Sequence, residues 1–154
     1  MITEEDLNYL QKQKLNVAAN ILHKTASLFD GEQSLLPLWG GGVITHGIPK
    51  IKKCVIGITK DAEKAINDGN KKDTTNDHLY RVTETAKFII LKIKTDDLNV
   101  TQIKKLLLER SALMTTTRSE NNKKLKDALK QCKNKDSWEE LYEKAKIKYR
   151  LYEL

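Results

Sequence analysis

His78–Ile93, HLYRVTETAKFIILKI, is the stretch on which the fold turns. Val82, Ala86, Ile89, Ile90 and Ile93 recur at helical spacing, whereas the β-rich run Phe88–Ile93 suits a buried strand. The downstream segments favour the strand, over about residues 87–93. Asn99 with Gln102 makes a capping pattern for a helix to about Arg110, Ala112–Thr117 (ALMTTT) reads as a strand, and Thr117 with Glu120 caps another helix to about Cys132. That β-α-β-α order predicts a parallel pair joined by a right-handed crossover.

Upstream, Thr3 is a good N-cap with Asp6 three residues on, and Leu7, Leu10, Val17, Ala18, Ile21, Leu22, Leu28 and Phe29 keep a helical period. A helix is expected over about 4–29, ending at Asp30-Gly31. Residues 30–49 then read as a loop: Leu35–Pro49 (LLPLWGGGVITHGIP) holds both prolines and four of the seven glycines, with Val43-Ile44-Thr45 as a short strand within it. Pro49 suits the first turn of a helix over about 50–67, whose apolar face is Ile51, Cys54, Val55, Ile58, Ala62, Ala65 and Ile66. Asp68–Asp77 (DGNKKDTTND) is a polar turn. From Ser137, Trp138, Leu141, Tyr142, Ala145, Tyr149 and Tyr152 fall on one helical stripe, read as core rather than as a stacking platform for bases. The expected fold is α+β, a helix-rich single domain over residues 1–154 with a small sheet including a β-α-β unit, and a basic α/β portion over 50–154.

A chain of 154 residues is one domain in size and needs no staple. Cys54 and Cys132 stand apart, outside any CxxC or His/Cys cluster, so they read as reduced thiols and no zinc site or other cofactor is expected. There is no apolar leader segment and no uninterrupted apolar run approaching the roughly 20 residues of a membrane span, which points to a cytoplasmic protein with no membrane partner. The net charge of +7 is uneven: residues 1–49 carry three Lys against five acids, residues 50–118 fifteen Lys or Arg against nine, and residues 119–154 ten against seven. A basic surface of this kind attracts polyanions and binds phosphate backbones in a salt-dependent way. Lysines alternating with acids on helix faces would serve simply to solvate them.

The loop carries the main candidate site. Gly40, Gly41 and Gly42 allow several backbone amides to converge, and Lys50, Lys52 and Lys53 follow Pro49 in the first turn of the expected helix. Amides, helix dipole and ammonium groups together make an anion cradle, with Trp39 and Thr45 beside it. Arg118, after the Thr115–Thr117 run at the end of an expected strand, is a second phosphate contact.

His46-Gly47-Ile48-Pro49 resembles the first motif of the HNH (His-Me finger) nucleases. The resemblance implies His46 as general base, with the later Asn and His of the motif at Asn70 and His78 and a divalent metal as cofactor. It covers about five residues, and Thr45 stands where that family has an acidic residue. The leading expectation is a small basic protein binding nucleic acid or nucleotide phosphate, of a size and Lys/Asn-rich composition that fit a phage or other mobile element. One alternative is a phosphodiesterase using His46. The other is an interaction or inhibitor module that offers the apolar run Leu35–Trp39 to a protein partner or a second copy.

Overall fold

A computed structural model describes residues 2–29 and 36–153, with the backbone alone at 36–38. Elements run α1 (Tyr9–Thr25), α2 (Leu36–Gly47), β1 (Val55–Thr59), α3 (Lys60–Asn67), β2 (Thr74–His78), α4 (Val82–Asp96), α5 (Val100–Glu109), β3 (Leu113–Thr117), α6 (Leu125–Leu129), α7 (Trp138–Lys144) and β4 (Tyr149–Leu151). This is a helix-rich α+β chain with a small mixed sheet that contains a parallel pair. It divides into two compact units, Met1–Cys54 with Tyr80–Ser111 and Val55–Leu79 with Ala112–Leu154. Each unit is therefore assembled from separated pieces of sequence.

The first unit holds α1, α2, α4 and α5. The long first helix begins later than its sequence suggests: Glu4–Asp6 form a 3-10 turn and α1 starts behind Asn8. The Asn8 side chain accepts from the Gln11 amide, and the Gln11 side chain accepts from the Asn8 amide, both at 2.9 Å. Leu15, Ala18, Ala19 and Leu22 form its buried stripe. The helix also ends earlier than expected, at Thr25, with a 3-10 turn over Ala26–Leu28 and extended backbone at Phe29, while Asp30-Gly31 lies outside the described residues.

The strand expected at 87–93 is instead the second half of α4. Thr85, Ala86, Ile89, Ile90 and Ile93 are buried on one side, whereas a strand would have turned alternate residues inward. Burial against neighbouring helices thus overrides the β propensity of the run.

The glycine-rich loop is also helix, and its glycines explain why. A Cβ on Gly40 would stand 3.1 Å from the Ala86 Cβ of α4, and one on Gly47 only 2.3 Å from the Ala18 Cβ of α1. At Gly47 α2 approaches α1 more closely than any side chain permits, and at Gly40 a side chain would require Ala86 to give by a few tenths of an ångström. Pro37 lies in the first turn, where a missing N–H costs nothing. The short strand expected at Val43–Thr45 is part of the same helix.

In the second unit the sheet order is β2-β3-β1-β4. The parallel pair is β1 with β3, and the outer strands β2 and β4 run antiparallel to their neighbours. The helix expected over 50–67 is shorter: Lys52–Cys54 form a 3-10 turn, Val55–Thr59 are β1, and α3 starts behind Thr59, whose hydroxyl accepts from the Ala62 amide at 3.2 Å. Ala112–Thr117 behaves as read, with β3 buried at Leu113, Met114 and Thr116. The helix after it opens with a π-helical stretch, Glu120–Lys124, before α6. Trp138, Tyr142 and Tyr149 pack edge to face with centroids 5.4–5.8 Å apart, which confirms a core role, although Tyr149 sits in β4 rather than on the helix.

Candidate functional site

The anion cradle does not form as expected. Gly40, Gly41 and Gly42 are inside α2, where amides bond to carbonyls one turn back instead of converging on a ligand. Pro49 and Lys50 precede a 3-10 turn and a strand, so no long helix places its positive end there. Lys50, Lys52 and Lys53 are exposed, and the Lys53 ammonium is engaged by the Asp6 carboxylate of the same chain. That ammonium, helped by the Thr3 amide, holds the Asp6 carboxyl below its ordinary range. The Thr45 hydroxyl donates to the Gly41 carbonyl at 2.8 Å. Arg118 belongs to the second unit, is exposed, and donates from Nε to the Lys72 carbonyl at 3.1 Å.

His46 lies in the last turn of α2, and its side chain is exposed. Asn70 is exposed before a short 3-10 turn, and His78 is half-buried at the end of β2. His46 belongs to the first unit while the other two belong to the second. Among the described residues, no group of three or more His, Cys, Asp or Glu is placed to hold a metal ion. Leu35 lies outside the described residues, and Trp39 is half-exposed.

Among the described residues, a groove in the first unit and a hollow in the second stand in place of the cradle. In the first unit, α1 and α2 leave between them a groove of about 580 Å³. Its walls are Leu10, Val17 and Ile21 from α1 and Trp39 and Val43 from α2, and Gly42 lies where a side chain would fill it. Gln13, Lys14 and His46 form the polar part of its lining. A smaller hollow of about 220 Å³ adjoins it, lined by Lys14, His46 and Lys50 among others.

In the second unit a hollow of about 460 Å³ lies between the π-helical stretch with α6 and the end of α7. Ser119, Lys123, Lys124, Gln131 and Lys144 line it, with Asp127 as the one carboxylate in the lining. Lys124 pairs with Asp61 at 3.2 Å and Asp127 with Lys130 at 3.5 Å. Among the described residues this leaves Lys123 and Lys144 without a carboxylate partner.

The other acid of this segment is turned away from the surface. Glu120 is 2% exposed, and its Oε2 accepts from the Thr59 hydroxyl at 2.7 Å, the Thr117 amide at 2.8 Å and the Thr117 hydroxyl at 3.2 Å. The Glu120 amide in turn donates to the Thr117 hydroxyl at 3.1 Å, which completes the cap read from the sequence. Residues 118–135 carry seven Lys or Arg and two acids, so burying Glu120 makes this surface more cationic than its composition. Behind it, burial and the nearby charges of Asp77 and Glu120 hold the Tyr142 phenol protonated far above its ordinary range.

Compared with protein-family models, curated protein sequences and solved structures, the chain matches none. Among the described residues no helix is long and apolar enough to cross a membrane.

Proposed function

We propose that this chain binds phosphate backbones and associates with nucleic acid through the cationic hollow of its second unit. The carrying observation is the convergence of Lys123, Lys124 and Lys144 on one concavity, two of them without carboxylate partners among the described residues, beside the Ser119 hydroxyl and the Gln131 amide. Ammonium groups held on two helices attract a chain of phosphates without reading base edges, so affinity comes with little sequence preference. The exposed Arg118, at the entry to the same helix, and Lys126, Lys130, Lys133 and Lys135 further along extend the positive field. A cytoplasmic location accords with this role.

The test is a titration of fluorescent duplex DNA, single-stranded RNA and a mononucleotide at two salt concentrations, with the intact chain and with K123A/K124A/K144A. Binding should weaken with salt, and the triple variant should flatten the log–log salt slope on duplex by about 2 to 3, roughly 0.9 for each phosphate contact removed. An unchanged slope in that variant, or equal affinity for the mononucleotide and the polymers, refutes the reading.

A further inference from the structure

We infer that the groove between α1 and α2 is a docking site for an acidic amphipathic helix of a partner protein. The inference is independent of the nucleic-acid reading, since it concerns the other unit and the opposite kind of surface.

Helix α1 carries two apolar stripes. Leu15, Ala18, Ala19 and Leu22 are buried within the unit, whereas Leu10, Val17 and Ile21 lie about a third of a turn around and face the groove. Leu10 is 57% exposed, Val17 54% and Trp39 49%, a concentration of uncovered carbon on one concave surface. The shape selects the occupant. A groove of about 580 Å³ between two helices, opened by the missing side chain at Gly42, accepts side chains projecting from a third helix, as helix-in-groove recognition requires.

Charge selects its composition. Together α1 and α2 contain three lysines, two histidines and not one of the chain's 21 acids. Lys14 and His46 stand in the lining, Lys50 in the adjoining hollow, and Lys24 two turns beyond Val17 on the same stripe. Of the three acids just upstream, Glu4 and Asp6 are engaged by Lys104 and Lys53, and Glu5 is exposed but outside the lining of the groove. The walls that α1 and α2 supply carry no acid, which favours a partner helix flanked by glutamates and disfavours a second copy of this chain, whose own lysines would meet these.

The probe is a synthetic 16-residue helical peptide with leucines on one stripe and glutamates beside it. It is compared with the same peptide carrying lysines for the glutamates, and with phosphatidylserine vesicles. Trp39 reports occupancy by a blue-shifted emission and reduced acrylamide quenching, against a constant background from the buried Trp138. The acidic peptide should bind at least about tenfold more tightly than the basic one. G42L, whose Cβ meets nothing within 4 Å, should fill the groove and remove binding without changing the DNA titration. K14E keeps the groove open and should weaken the acidic peptide about tenfold while improving the basic one. Equal binding of both peptides, no binding of the acidic one, binding undisturbed by G42L and K14E, a shift of Trp39 emission with vesicles alone, or self-association that buries Trp39 each overturns the inference.

Discussion

The groove of the first unit and the hollow of the second both lie between two helices, yet carbon lines one and ammonium groups line the other. In the first unit, small residues set the shape. Gly40 and Gly47 bring α2 against Ala86 and Ala18, and Gly42, on the open side of the same helix, leaves the space that apolar walls then surround. In the second unit a buried carboxylate sets the charge. Glu120 turns inward to join the Thr59 and Thr117 donors, and among the described residues Lys123 is left facing water without a carboxylate partner while Lys124 and Lys130 pair with Asp61 and Asp127. A concavity built by close backbone approach recognises shape, and one built by withdrawing an acid recognises charge.

The sharpest way to break this comparison is at Glu120. Replacing it with Ala leaves the Thr59 hydroxyl and the Thr117 amide as buried donors without an acceptor, at a cost of about 3 kcal/mol. Gln keeps one acceptor oxygen in place and should cost about half as much. Chemical denaturation of both variants checks this, and equal losses would show that the carboxylate charge, which neither variant keeps, holds Glu120 rather than packing or the acceptor oxygen that Gln retains.

The next effect separates glycines of one helix. Gly47→Ala places a Cβ 2.3 Å from that of Ala18, so α1 and α2 must separate, which costs about 2 kcal/mol. Gly42→Ala meets nothing within 4 Å and should stabilise by about 1 kcal/mol through helix propensity alone. Opposite signs from the same substitution five residues apart, read as shifts of the unfolding midpoint, would confirm that α2 uses its glycines on one side only. A loss at both sites contradicts it.

What the sequence disclosed depended on how far apart the deciding residues stand. The caps at Asn99 with Gln102 and Thr117 with Glu120 are legible because both partners lie within four residues. Gly40–Gly42 are not, because glycine signals freedom without saying whether it serves a turn or a close approach, and Ala86 and Thr83, which Gly40 and Gly41 meet, lie far along the chain. Phe88–Ile93 misleads for a related reason: its residues suit both periods, and only burial at Ile89, Ile90 and Ile93 decides. Of the sites, the basic excess was visible as composition, but not that Lys123 and Lys144, on different helices, share one hollow. The second apolar stripe of α1 was present in the sequence as Leu10, Val17 and Ile21, and reading one stripe where there are two concealed it.

The smallest effect compares one surface ion pair from each unit. Lys53 holds the Asp6 carboxyl below its ordinary value of 3.8, and Arg150, donating to Glu63 at 2.6 and 3.0 Å, holds that carboxyl below 4.5. A carboxyl whose value is depressed in the folded state stabilises it above the unfolded value, and that contribution disappears as pH falls through the folded one. Asp6→Asn and Glu63→Gln should therefore each be slightly less stable than the parent at neutral pH, with the gap closing below about pH 4. Both pairs lie in water, so added salt should shrink the gap as well. A difference that persists unchanged at low pH would mean that the carboxylate acts through shape rather than charge. If only one variant shows the closing gap, the ion pair in the other unit contributes nothing to its stability.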